Sequence, residues 1–423
     1  MGRHESLEEG TEKRSLLVSV ARFILHQWLL IGIGLACLLA YLFPRVASHG
    51  GIIRAEYTIL YGAVIIIFLV SGLSIERRKL FRHILNWRLH ILVQGMSFLV
   101  IPAIVYALVQ LIEATDVRGR IDKSVLAGYI LVACLPTTIS SNVVMTRSAG
   151  GDDAAALVEV VVGNIIGPFV TPGWTVTLLP KSPQHDRWRD ANNDLSAMYT
   201  NVFKELGLTV LLPLLVGQLI RWTWSEKTAW VLQKFYLAKI ASSCLIFLIW
   251  SSLSTCFETR AINALTAETV IFIVLFNIVL YLFLTGVCFL LSHPPDAITP
   301  SPRHRFLSLI IRKLPPVETI AVCFCGAAKT TGLGIPMLYA MYDSNDLFMK
   351  AKLSVPVILY TTEQIFCAHF MVYFLRRWRE NLEKKSQSDC ESIVDCETAA
   401  VGGGESEGSR IEEQNERRPG LDA

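Results

Sequence analysis

Apolar residues run through this chain in long uninterrupted blocks, and the polar positions between them mark where each block stops. No Asp, Glu, Lys or Arg occurs in Phe23–Pro44, Tyr57–Ile75, Leu89–Ile112, Ser124–Thr146 or Val160–Pro180, nor later in Leu206–Ile220, Ile240–Phe257 or Thr269–Pro295. Most blocks reach the roughly 17–25 residues that a helix needs to cross hydrocarbon. The short alternating segments of a transmembrane barrel do not occur. The pattern predicts an all-α polytopic membrane protein with ten transmembrane helices. Their expected ranges are 24–44, 56–75, 88–111, 123–146, 153–177, 203–221, 235–256, 267–292, 316–341 and 353–375. The ninth and tenth carry Lys329 and Glu363, which a span tolerates when they face protein or a wet cavity.

Composition agrees: 52% of the 423 residues are hydrophobic and 18% charged, a balance foreign to soluble domains. The first block is too long, and too poorly followed by a cleavage-like site, for a removable signal peptide. Charge then sets orientation. Arg77, Arg78, Lys79, Arg82 and Arg88 follow the second span; Arg303, Arg305, Arg312 and Lys313 precede the ninth; Arg376, Arg377 and Arg379 follow the tenth. In a ten-span chain all three clusters share one side, which the positive-inside rule makes cytoplasmic, with both termini. The basic residues Lys181, Arg187 and Arg189 fit that scheme less well. The implied organisation is a cytoplasmic segment at 1–22, a first five-helix repeat at 23–177 and an extracellular or lumenal loop at 178–202. A second, inverted five-helix repeat follows at 203–378, then a disordered cytoplasmic tail at 379–423, whose periodicity is lost from about 386.

Two spans are interrupted. The fourth reads LPTTISSNVVM, where Pro136 is followed by Thr137, Thr138, Ser140, Ser141 and Asn142; the ninth reads CGAAKTTGLGIP, with Lys329, Thr330 and Thr331 among glycines. Proline removes a ladder hydrogen bond, and hydroxyl side chains compete for the backbone. Such residues also kink helices for packing alone. Both breaks, however, fall fourth in a set of five spans, and an odd number per half inverts the second copy. Paired broken helices at matching positions point to the substrate site of an inverted-repeat carrier, because unwinding at mid-depth frees backbone groups and exposes half-helix ends.

Lys329 lies near the middle of its span, and a charge there needs a counter-charge or a bound anion. Glu159 and Glu363 are the candidate partners. The lysine can equally contact an anionic substrate, or take the place of a bound cation among oxygen ligands; a titrating Lys–Glu pair would couple protons. Gln94, Asn164, Asn277 and Gln364 are neutral polar residues in apolar surroundings. Gln94, Asn164 and Gln364 join the candidate substrate or ion site, whereas Asn277 reads as core. Cys323 and Cys325 form a C-x-C without companion ligands, and the cysteines as a whole read as small buried hydrophobes.

On the runs LPTTISSNVVMTRSAGGD, GNIIGPFVTP and CGAAKTTGLGIPM, the chain resembles the bile acid/sodium symporter superfamily. Within it, the likeness is to the solute carrier family 10 member 7-like branch, which includes fungal regulators of calcium homeostasis. It covers roughly residues 20–378. The resemblance implies a panel of spans 1, 2, 6 and 7 and a core of spans 3–5 and 8–10, with helices 4 and 9 crossing. Ser141 and Asn142 fall on a sodium-binding Ser–Asn pair, and Gln94 on a helix-three glutamine ligand. The helix-nine acidic residue has no counterpart, and Ala328–Lys329–Thr330 replace a Gln-Asn pair. A lysine there repels sodium, so bile acid transport with two sodium ions is not expected. A single altered cation site involving Glu159 or Glu363 stays open, as does sodium coupling itself.

The branch implies negative control of cytosolic calcium, and the leading expectation is that alternating-access transport of an unidentified solute, an anion being one candidate, exerts it. The alternative is a non-transporting regulator that binds and restrains a calcium channel or another membrane partner. Plasma membrane is the expected location, with Golgi or vacuole as alternatives. Membrane lipid and a small solute are the expected partners. No cofactor is expected. No EF-hand, phosphate loop, zincin or hydrolase elbow is present, so neither calcium binding of that type nor an enzyme is indicated. A net charge of +3, confined to membrane edges, gives no support to nucleic-acid binding.

Overall fold

A computed structural model describes residues 28–415 apart from 117, 139, 184, 191–194 and 296–312; the side chains of residues 79, 82, 140, 187, 190, 386 and 389–415 are also outside the description. The expected segment 1–22, the basic residues Arg303, Arg305 and Arg312, and the side chains of Lys79, Arg82 and Ser140 therefore lie outside the described residues.

The described chain is helical, without strands, and it crosses the membrane repeatedly. In order the main helices are α1 (Trp28–Leu42), α2 (Ala55–Ser74), α3 (Trp87–Thr115), the half-helices α4a (Lys123–Cys134) and α4b (Ser140–Ser148), and α5 (Asp153–Leu178). Then come α6 (Leu195–Thr223), α7 (Leu237–Glu258), α8 (Ala267–Ser292), the half-helices α9a (Pro316–Ala327) and α9b (Thr331–Met341), and α10 (Leu347–Asn415). Among the described residues, eight of these, counting α9a and α9b as one span, are long and apolar enough to cross a membrane; α1 and α4a are shorter apolar helices. The helix starts are fixed by polar caps. Asp122 accepts from Ser124 N at 2.8 Å, Asp152 accepts from Ala154 N and Ala155 N at 3.0 Å each, and Thr266 accepts from Thr269 N at 3.2 Å. Each satisfies N–H groups that have no partner inside the helix.

One boundary moves. α6 starts at Leu195 rather than 203, because SAMYTNVFKEL continues its helical stripe, burying Met198, Val202 and Leu206. The backbone of α10 is helical to Asn415. Its Glu, Lys, Gln and Ser residues have favourable to middling helix propensity, and Arg376–Glu380 and Arg379–Glu383 pair one turn apart.

α1 packs on α7, and α2 packs on both α6 and α7. The α2–α6 contact is glycine on glycine: a Cβ on Gly217 would lie 3.0 Å from Gly72 Cα, and one on Gly72 would strike Leu214 O. Small residues let two backbones approach, which is how helices associate where lipid offers no hydrophobic drive. In a second group, α5 touches α4a, α4b and α9a, while α8 packs on α9a and α3 on α4a. The window across α9a and α9b is 100% buried, so the lysine-bearing break faces protein. By contrast Ile271, Leu275, Val279 and Phe283 are each more than half exposed along α8. Their four-residue spacing makes an apolar stripe suited to acyl chains.

Candidate functional site

The two breaks meet. Pro136 ends α4a, whose last carbonyls lose their intrahelical donors, and nearly every freed carbonyl finds a partner. Leu135 N bonds Leu131 O and Val132 O at 3.2 Å. Thr171 Oγ1 donates to Cys134 O at 2.7 Å, and Asn164 Nδ2 donates to Thr137 O at 3.1 Å. Thr330 N donates to Pro136 O at 3.0 Å. In return Thr138 Oγ1 donates to Lys329 O at 2.8 Å. Each break thus supplies a donor to a carbonyl of the other.

Gln364 of α10 holds the second break on both sides. Its Oε1 accepts from Lys329 N at 2.9 Å, while its Nε2 donates to Lys329 O at 2.7 Å and to Thr138 Oγ1 at 3.0 Å. Thr361 adds a donor to Lys329 O at 3.3 Å and accepts from Thr331 Oγ1 at 2.5 Å. Tyr360 OH donates to Ala327 O at 3.1 Å. Thr330 Oγ1 caps α9b through Gly332 N.

Among the described residues, no carboxylate pairs with the Lys329 side chain. Nζ donates to Ser97 O (2.7 Å), Ala133 O (2.8 Å), Leu135 O (2.7 Å) and Ser97 Oγ (3.1 Å), and the residue is 1% exposed. This corrects the expected counter-charges. Glu159 is fully buried but faces α3: its Oε1 is 2.6 Å from His90 Nδ1, close in distance though poorly aligned for a hydrogen bond. Gln94 Nε2 donates to Glu159 Oε2 and to its backbone O, both at 2.9 Å. Glu363 lies beside Asn277, whose Oδ1 accepts from Tyr129 OH at 2.8 Å. The physical reason is that carbonyls at the C-terminal end of a half-helix carry partial negative charge, so Lys329 is compensated without an acid.

Thr138, Lys329, Thr330, Thr331 and Gln364 therefore form one network. Asn142 and Asn164 join it through Thr137, since Asn142 Nδ2 donates to Thr137 Oγ1 at 2.6 Å. Asn164 Nδ2 also donates to Val160 O at 2.7 Å. Gln94 and Glu159 belong to a neighbouring cluster with His90. Ser141 Oγ, Asn164 Oδ1 and Gln94 Oε1 are buried without a protein partner, so three oxygen atoms around α4b, α5 and α3 remain free to accept from a solute or hold a cation. Among the described residues, no cluster of three His, Cys, Asp or Glu could hold a metal ion.

Sequence reading missed Ser97, Tyr360, Thr361, Thr171 and His90. Ser97 carried a signal: Pro102 stands five residues later. α3 makes a π-turn over Met96–Val100, in which Ile101 N bonds Met96 O. The next donor, Pro102, has no N–H, so Ser97 O is left for the lysine. His90 lies one helical turn before Gln94, on the same face.

Beside α4b and α5, across from α2, α6 and α7, runs a crevice of about 340 Å³ lined by Ser74, Val143, Arg147, Asp153, Leu157 and Arg221. Val70, Val144 and Ala241 continue it as an apolar strip. Arg147 Nε is 2.7 Å from Asp153 Oδ2. Arg221 NH1 donates to Ser225 O at 2.7 Å, while its buried Nε has no protein partner.

Residues 27–377 match the SBF-like CPA transporter family. The chain is similar to the solute carrier RCH1 of Candida albicans, 37% identical over 396 residues, which span 89% of this chain and 94% of the relative. It is 35% identical to the solute carrier RCH1 of Saccharomyces cerevisiae, over 88% of each chain. The sodium/bile acid cotransporter 7 of Xenopus tropicalis is 29% identical over 85% of this chain and 94% of the relative. With two interrupted helices whose breaks meet and a match across nearly all of its apolar spans, the chain belongs to the SBF-like CPA transporter family of membrane solute carriers.

Proposed function

We propose that this protein carries a small amphipathic solute across its membrane by alternating access, and that negative control of cytosolic calcium is the physiological result. The proposed organisation is ten spans in two inverted halves, with α1, α2, α6 and α7 as a panel against which the rest moves. One observation carries the reading: the breaks of α4 and α9 exchange hydrogen bonds, Thr330 N to Pro136 O and Thr138 Oγ1 to Lys329 O. Half-helix ends at a common depth are the feature on which carriers of this type build their sites. Because each break completes the other's backbone bonding, separating them would bare several buried polar groups. The crossing therefore moves as a unit, and sliding occurs along the crevice between α4b–α5 and α2–α6–α7. There the apolar strip and the unpartnered Arg221 Nε suit a solute with an apolar body and an anionic or polar head. We place it in the plasma membrane, with Golgi or vacuolar membrane as the alternatives, and the basic clusters support cytoplasmic termini.

A second reading, restraint of a membrane partner without turnover, draws on the closed state of the crossing, where Lys329 is 1% exposed. Proteoliposome uptake of a panel of amphipathic anions separates the two. Carriage predicts uptake by the wild type, lost in Asn142→Ala, and loss of calcium control in cells by the same variant. Calcium control retained by a variant with no flux would establish the second reading instead.

A further inference from the structure

We infer that Lys329 is a built-in cation: its ammonium fills a cage of oxygen atoms which, once the tether is cut, binds a free monovalent cation. The wild-type cage accordingly takes no sodium. The inference concerns occupancy of the cage and stands whether or not the protein turns over a solute.

Three features support it. The donor set is that of an alkali-cation site, three carbonyl oxygens and a hydroxyl, all neutral, all within 2.7–3.1 Å of one nitrogen. Rings of backbone carbonyls are how proteins replace the hydration shell of such ions. Next, every carbonyl of the set is free for a stated backbone reason. Ser97 O faces Pro102 in a π-turn, and Ala133 O and Leu135 O lie at the end of α4a, where the peptide after Leu135 belongs to Pro136. Without an occupant Ser97 O and Ala133 O would lose their donor and Leu135 O would keep only a long bond from Ser97 Oγ at 3.5 Å, a degree of buried under-satisfaction that proteins avoid. Last, the field is right. α4a directs the negative end of its dipole at the cage, and the side chain within it is fully enclosed by α3, α4a and its own helix break.

Of the sodium ligands implied by family likeness, Gln94 and Asn142 engage their amide nitrogens within the protein, whereas Ser141 Oγ and Gln94 Oε1 have no protein partner. The Gln94 amide holds Glu159, and the Asn142 amide holds Thr137 Oγ1. The oxygens of the cage fit a lysine ammonium. An ammonium offers three protons to four acceptors, so the two oxygens of Ser97 share one.

The test is thermal unfolding of the full-length protein in detergent, in choline chloride and at equal ionic strength in sodium, potassium or n-propylammonium chloride. The wild type is expected to give one midpoint in all four salts. Lys329→Ala is expected to unfold at a lower temperature in choline. Its midpoint should rise saturably with n-propylammonium and with sodium or potassium, following the logarithmic dependence of ligand linkage. Lys329→Met, which fills the space with an uncharged chain, should respond to none of them. If Lys329→Ala cannot be purified in choline, expression and extraction in n-propylammonium or potassium should recover it. Three results would overturn the inference: a saturable sodium-dependent rise in the wild type that Lys329→Ala abolishes, a Lys329→Ala protein indifferent to every cation, or rescue by the amine with no response to either alkali ion. Because no flux is measured, the outcome is separate from that of the uptake experiment.

Discussion

Replacing Gln364 by leucine keeps most of the side-chain volume and removes the amide that grips the break in α9. The consequences can be followed atom by atom. Lys329 N loses the acceptor at 2.9 Å that Gln364 Oε1 provides, and it lies in a fully buried segment. Leaving such a donor bare costs about 1–3 kcal/mol. Lys329 O loses Nε2 at 2.7 Å but keeps Thr138 Oγ1 and Thr361 Oγ1, so its share is the net value of one hydrogen bond, about 1 kcal/mol. The expected total is roughly 2–4 kcal/mol of lost stability, measured by equilibrium unfolding in mixed micelles. Thr138→Val acts on the same carbonyl and should cost about 1 kcal/mol by itself. Since the two side chains also bond each other at 3.0 Å, a double-mutant cycle should return a coupling above about 0.5 kcal/mol. A Gln364→Leu loss below about 0.5 kcal/mol, or strict additivity with Thr138→Val, would show that the crossing is not held by this amide.

Two further predictions concern parts remote from the crossing. Gly72→Ala drives a methyl group into Leu214 O, a backbone atom that cannot rotate aside, so it should destabilise the α2–α6 pair by about 1–3 kcal/mol; Gly34→Ala, at a position with nothing within 4 Å, is the matched control and should be near neutral. His185, in the loop between α5 and α6, is held below the ordinary imidazole value by burial, with Glu113 opposing and Lys123 reinforcing that shift. The folded protein then binds fewer protons there than the unfolded chain, so this residue's contribution is present at high pH and lost as pH falls through the unfolded value near ~6.5. Stability should rise between about pH 5 and 7.5, and His185→Gln should flatten that slope in the same unfolding assay.

The helical frame was plain in the pattern of charges because a transmembrane helix can carry few of them. The ranges expected for the fifth and eighth spans, 153–177 and 267–292, meet Asp153–Leu178 and Ala267–Ser292. The breaks were equally legible, since Pro136 and the glycines around Lys329 are residues that a continuous helix penalises. What the lysine touches was not. A search for its partner naturally turns to acids, and Glu159 and Glu363 were the acids available. The actual partners are backbone atoms of Ser97, Ala133 and Leu135, and a carbonyl's availability depends on local winding that composition does not record. Glu159 already lies against His90 and accepts from Gln94, a matter of helix facing that emerges only once α3 and α5 are packed. The same holds for Tyr360 and Thr361, whose hydroxyls look like ordinary span residues until α10 lies against α9.

An ion drawn from solution arrives and departs, and its charge can be left behind on the far side. The charge on Lys329 is covalently bound. If the protein works as proposed, with Lys329 as a built-in cation, movement of the crossing through the electric field of an energised membrane would take that charge along with or without a solute, at about 2.3 kcal/mol per elementary charge for each 100 mV traversed. Membrane voltage would then bias the resting position of the protein itself, before any solute has bound.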